Sequence, residues 1–168
     1  MTRLLGIDFG DRRVGLAIAD GDGGRAMPLA TIRRGASVEA DAAALKEALA
    51  GARTGAIDEL VVGLPLEANG DEGPQARLTR EWAMAVAATL GLPVTLRDER
   101  LSSHVAEARI GPMPRGRSGG PPTRSQRDRY RSRIDREAAA IILQDELDAR
   151  AGAWSAHPGA RDAMENQR

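Results

Sequence analysis

Three carboxylates sit in sequence surroundings that leave them little solvent. Asp8 closes the apolar run Leu4-Leu5-Gly6-Ile7. An ionised acid in a low-dielectric interior is costly unless it is paired or binds a metal. A strand-end aspartate also serves as an ordinary turn residue, so Asp8 alone leaves both readings open. Asp135 says more. Its neighbours at i+3, i+4 and i+7 on a helical wheel are Ala138, Ala139 and Ile142, which sets it in the middle of an apolar arc. Glu137, Gln144 and Asp148 fall on the polar side. A helix dipole accounts for an acid in a first turn but not for one on a core-facing stripe. Glu99 follows the run Pro93-Val94-Thr95-Leu96 with Asp98 beside it, at the kind of sheet edge where α/β proteins gather ligands. Taken alone, Glu99 is better explained as part of a solvated turn with local ion pairs.

Together the three acids suggest one chemistry. Hydrolysing a phosphodiester means stabilising negative charge on both the attacking and the leaving oxygen. Two divalent ions about 3.5–4 Å apart do this, and one of them also acidifies the attacking water. Magnesium takes hard oxygen ligands, including one or two carboxylates, so Mg2+ or Mn2+ is the expected cofactor. The chain has no cysteine and only His104 and His157, which leaves zinc without its usual ligands and excludes disulfides and thiol nucleophiles. His104 reads as a surface histidine close enough to Glu99 to assist a proton transfer.

The elements that must deliver these acids follow from periodicity. Residues 3–8 and 14–19 read as strands joined by a short turn, and 26–32 as a third returning after the Gly-rich stretch 20–24. Residues 37–52 form a helix with Ser37 as its cap. Residues 59–64 carry a continuous apolar run after Glu59, Leu60-Val61-Val62-Gly63-Leu64, as in a strand buried on both faces. A helix over 74–90, a strand over 93–96 and a short helix over 103–110, with Ser102 and Ser103 as its caps, come next. Residues 111–130, rich in Gly, Pro and Arg, read as a flexible loop. A last helix runs over 132–150. The order βββ-α-β-α-β-α predicts an α/β fold with a mixed five-stranded sheet, three strands antiparallel and then two parallel, flanked by helices. One domain spans 1–150, and 151–168 reads as a disordered tail.

Composition narrows the partners. The formal net charge is zero, yet Lys46 is the only lysine among 24 basic residues. The aromatic residues are Phe9, Trp82, Tyr130 and Trp154, few for a protein that stacks on unpaired bases, so recognition of backbone or shape is expected. The loop and the start of the last helix carry Arg115, Arg117, Arg124, Arg127, Arg129, Arg131 and Arg133 against the single acid Asp128. Just ahead of Asp135, such a run could clamp phosphates; a solvated linker is the plain alternative. Arg12 and Arg13 in the first turn could hold a substrate phosphate, although a plain surface turn is the commoner fate of such a pair; Arg100 beside Glu99 is a further candidate contact. No apolar run approaches the roughly 20 residues of a membrane span, and the expectation is a soluble cytoplasmic protein with no membrane partner. Gly6, Gly10 and Gly15 match neither a P-loop nor a dinucleotide fingerprint and read as allowing close backbone approach.

Four strings, in order, resemble the motifs of the YqgF (RuvX) family, a RuvC-like branch of the ribonuclease H-like nucleases. They are Gly6-Ile7-Asp8-Phe9-Gly10 through Ala17, Val61-Val62-Gly63-Leu64-Pro65, Asp98-Glu99-Arg100-Leu101-Ser102-Ser103, and Ile134-Asp135-Arg136-Glu137 through Leu143. The resemblance implies a ribonuclease H-like fold and an acidic metal site on Asp8, Glu99 and Asp135, with Asp98 as an alternative ligand. RuvC carries an acid at the end of its fourth strand, where this chain has Gly63-Leu64-Pro65-Leu66; Glu99 is preferred over Glu67 to fill that role. The family's activity implies a structured nucleic-acid substrate, an RNA precursor in 5′-end maturation of pre-16S ribosomal RNA being preferred to a four-way DNA junction. A junction-cutting enzyme would act as a homodimer to cut two strands symmetrically. A binding factor with vestigial catalysis is the alternative from another class. Actin-like ATPases and sugar kinases begin with a similar hairpin but need two such domains, which 168 residues do not supply.

Overall fold

The computed structural model describes residues 2–21, 23–99, 102–116 and 119–155. Three antiparallel strands open the chain: β1 (Arg3–Phe9), β2 (Arg13–Asp20) and β3 (Met27–Arg33). Helix α1 (Val38–Gly51), β4 (Glu59–Leu64), α2 (Pro74–Leu90), β5 (Val94–Asp98), α3 (Ser102–Ile110) and α4 (Arg124–Ser155) complete it. The sheet order is β3-β2-β1-β4-β5, with β1 parallel to β4 and β4 parallel to β5. This is the mixed sheet of three antiparallel and two parallel strands expected from the sequence.

Strand alternation divides the side chains between two faces. Leu5, Ile7 and Phe9 of β1 join Leu16, Val62, Leu45 of α1 and Trp82, Ala83 and Val86 of α2 in one core. Leu4 of β1, with Ala17, Ala19 and Val61, packs instead beneath Ala139, Ile142, Leu143 and Leu147 of α4. Asp8, two pleats on from Leu4, therefore belongs to the α4 face. The residues of that face are small where the helix crosses. A Cβ added to Gly6 would stand 2.7 Å from Leu143 Cβ and 2.8 Å from the Ala139 carbonyl, and one on Gly15 would run into the Asp135 main chain. Glycine at these places lets α4 lie almost on the backbone of the sheet.

On the other face Asp41 is buried and fully engaged. It accepts from Trp82 Nε1 at 2.8 Å and from the Gly35 amide at 2.6 Å. Phe9 stacks on Trp82 with 4.3 Å between ring centres, and the Arg34 guanidinium lies 4.3 Å over Phe9. This cluster fixes the end of β1 that carries Asp8. Ser37 caps α1 as expected, accepting from the Ala40 amide at 3.2 Å.

Helix α4 departs most from expectation. It starts at Arg124 rather than near 132 and reaches Ser155, so residues 124–130 of the expected loop are helical. Thr123 and Gln126 close a reciprocal cap, the Gln126 amide donating to Thr123 Oγ1 and the Thr123 amide to Gln126 Oε1, and this holds the first turn. Ile134, Ala138 and Ile141 then bury a stripe against Ala106 of α3, with Tyr130 packed at its edge. Tyr130 also donates its hydroxyl to the Gly111 carbonyl at 2.8 Å. At the far end Arg150 bridges Glu59 and Glu146. The part of the expected tail beyond Ser155 lies outside the described residues.

Candidate active site

The acids approach one another from three elements at one edge of the sheet. Asp8 is the last residue but one of β1, paired with Gly15 of β2, and it emerges on the α4 face. Asp135 faces it from α4, on the apolar arc that the wheel indicated: Ala138, Ala139 and Ile142 are all buried. Glu99 follows the last residue of β5. Its amide donates to the Leu64 carbonyl at 3.2 Å, which continues the β4–β5 pairing and turns its side chain back over the sheet. A Cβ on Gly63 would overlap Glu99 Oε2. The missing fourth-strand acid thus leaves a space that the Glu99 carboxylate fills.

The electrostatics agree with this convergence. Burial, and then the charge of Asp135, push Asp8 up from its ordinary 3.8 to about 7. Burial, then Asp8 and Asp98, push Glu99 up from 4.5 to about 8. Among the described residues Glu99 Oε2 is buried with no hydrogen-bond partner, and an orphaned acceptor among acids calls for a cation or a proton. Asp135 is already engaged: Arg13 Nε donates to its Oδ2 at 2.5 Å. Among the described residues no three acids or histidines are drawn together closely enough to hold a metal ion. Asp8 and Glu99 offer oxygens, while one oxygen of Asp135 is taken by Arg13.

These shifts carry a stability consequence. Unfolding returns both acids to their ordinary values, so between about pH 4 and pH 8 the folded chain holds protons that the unfolded chain releases. Stability from this source is complete below about pH 4 and is lost as pH rises through 7 to 8. With EDTA present, thermal midpoints should decline over that window, and Glu99→Gln should flatten the decline. A midpoint that rises from pH 6 to 8 in both proteins would show the two acids to be hydrated.

The other expected residues are scattered more widely. Asp98 is exposed at the end of β5, and His104 is exposed on α3. Ser102 does not cap α3 but donates its hydroxyl back to the Glu99 carbonyl at 3.2 Å. Glu67 lies against Gly73, where a Cβ would overlap its Oε1, at the start of α2. Arg12, Arg131 and Arg133 are exposed near the edge of the acid site or on the first turns of α4, and Arg115 is exposed in the loop before it. Arg100 and Arg117 lie outside the described residues. Sequence reasoning passed over Arg33, which the structure sets at the end of β3 opposite Arg13 of β2; its place beside the Arg12–Arg13 turn could have drawn attention to it. Among the described residues no helix is long and apolar enough to cross a membrane.

Known proteins resemble this chain over most of its length. The family model described as RuvX, Holliday junction resolvase, matches residues 2–149. A protein of Anaeromyxobacter dehalogenans (strain 2CP-C) named "Putative pre-16S rRNA nuclease" is 46% identical over 149 residues, 89% of this chain and 98% of that protein. A protein of Moorella thermoacetica with the same name is 42% identical over 146 residues, 87% of this chain and 94% of that protein. A solved RuvC of Thermus thermophilus in complex with a Holliday junction substrate aligns over 90% of this chain and 97% of its own at 17% identity, with a TM-score of 0.48.

Proposed function

This chain belongs to the RuvX family, and on that footing we propose that it is a divalent-metal-dependent endonuclease acting in 5′-end maturation of pre-16S ribosomal RNA. The observation that carries the reading is the orphaned Glu99 Oε2 beside Asp8, at a site where Asp135 raises the negative potential further. An all-oxygen carboxylate set suits Mg2+ or Mn2+ and no softer ion. When bound, the metal supplies Lewis acidity toward the phosphoryl oxygen and a more acidic water. Asp8 and Glu99 would hold it. The Arg13–Asp135 pair orients the third acid and sets a guanidinium beside the scissile group, where it can steady a phosphate oxygen. The cytoplasm is where such a precursor is processed.

The wording of the family model makes a four-way DNA junction the second substrate to test, with a symmetric dimer as its natural form. The assay is purified protein with labelled pre-16S-like RNA and with a labelled junction, each with Mg2+, Mn2+ or EDTA. Cutting of the RNA at an internal position, abolished by EDTA, is the expected result. Cutting of the junction alone would transfer the reading to recombination. Binding of both without cleavage of either would leave a binding factor in place of the enzyme.

A further inference from the structure

Beyond the acids, β2, β3 and the first two turns of α4 enclose a cleft of about 220 Å³ lined by Arg12, Arg13, Arg33, Arg124 and Arg131, with Asp128 the only acid on its wall. Its wall is stitched rather than loose: Thr31 of β3 donates its hydroxyl to the Ser132 carbonyl of α4 at 2.7 Å. Five guanidinium groups crowd one another there, and among the described residues only Arg13 has an ion-pair partner, Asp135. The first turn of α4, which contains no acid, adds the partial positive charge of a helix N-terminus to the same wall. Such a concentration of like charge is self-repulsive unless an anion spends time in it.

We propose that this cleft is a phosphate-backbone subsite, gripping the nucleic-acid strand a short way from the bond that is cut. The inference rests on the nuclease reading and specifies where that substrate is held. Planar, forked donors match phosphate oxygens, and a row of them matches a strand of phosphates better than a single carboxylate. Among the described residues no aromatic side chain lines the cleft, so recognition there is by backbone rather than by stacking on a base. Arg13 belongs both to the cleft and to the Asp135 pair, which joins the two sites. Arg131 and Asp135 stand one turn apart on α4, about 6 Å, or roughly one to two nucleotides at the rise of a helical strand. The strand held in the cleft is therefore the strand delivered to the acids.

Arg33 and Arg124 test the idea, being exposed and outside both the set of acids and the Arg13–Asp135 pair. Binding of a fluorescein-labelled single-stranded RNA, and of DNA of the same sequence, is titrated in EDTA across a series of salt concentrations. The proteins compared are the unaltered chain, Arg33→Ala/Arg124→Ala, and Lys46→Ala/Arg77→Ala. The last pair removes two charges from α1 and α2, on the opposite side of the sheet. Loss of two phosphate contacts should weaken binding roughly tenfold or more and make the slope of log K against log salt shallower by about 1.4. RNA and DNA should be affected equally, and the α1–α2 pair should change little. With metal present, the loss should be read in KM. An unchanged slope, an equal loss in the α1–α2 pair, a loss for RNA alone, or an effect confined to kcat would each overturn the assignment. Arg33→Lys/Arg124→Lys should restore most of the slope, which separates lost charge from lost fold. If the unaltered protein binds neither strand nor the pre-16S-like RNA, the nuclease reading fails; if it binds and the cleft variant binds equally well, only the cleft assignment fails.

Discussion

Asp8→Asn should reduce cleavage by about a thousandfold while the protein remains folded and, without metal, becomes no less stable at pH 8. A metal ligand supplies several kcal/mol of transition-state stabilisation, and about 4 kcal/mol corresponds to three powers of ten in rate. Asparagine keeps the shape and one oxygen but gives up the charge that attracts the cation. The same substitution removes a buried negative charge that Asp135 already disfavours, so the usual cost of altering a buried residue is offset. Initial rates across a magnesium titration, with melts at pH 8 in EDTA, measure both halves. Activity within tenfold of the parent at saturating magnesium would remove Asp8 from the catalytic set. A rate loss with a collapsed melt would indicate a structural residue.

The second large effect is expected at Gly15. An alanine Cβ there would overlap the Asp135 carbonyl and come within 2.9 Å of the Arg136 amide nitrogen. These are main-chain atoms of a helix pinned along the whole sheet, so they have no rotamer by which to yield. Overpacking in a core typically costs 1–3 kcal/mol, and backbone against backbone puts Gly15→Ala at the top of that range, about 3 kcal/mol. Denaturant midpoints at unchanged m-value measure it. Gly51→Ala is the comparison, since nothing lies within 4 Å of the Cβ it would gain; it should be neutral or slightly stabilising. Equal midpoints for the two variants would mean that α4 does not lie as close to β2 as described.

What could be read in advance was what the chain writes locally. The alternation in β1 and the period of α4 placed Asp8 on a strand end and Asp135 on a core-facing stripe, and the structure puts them on one face. The Glu99 position was legible as an acid after a strand but not as the occupant of the space over Gly63, because that depends on β4 and β5 lying side by side. The Arg13–Asp135 pair joins residues 122 positions apart and has no local trace. The early start of α4 was missed for a different reason. Glycine, proline and arginine dominated the impression of 111–130, although Thr123 and Gln126 stand at the spacing of a capping box. Asp41 drew no attention in the sequence, and only the Trp82 indole that donates to it shows why an acid in the first turn of α1 is buried.

Arginine keeps its charge at any pH a cell experiences, whereas Asp8 and Glu99 exchange protons in the neutral range. If the cleft holds the strand as proposed, a row of guanidinium groups beside a pair of easily protonated acids would separate capture from cutting. In mildly acidic solution the protein would still hold its strand but lack the charged ligands that admit the metal. It would then act as a clamp, and a rise toward pH 8 would release it into turnover with the substrate already in place.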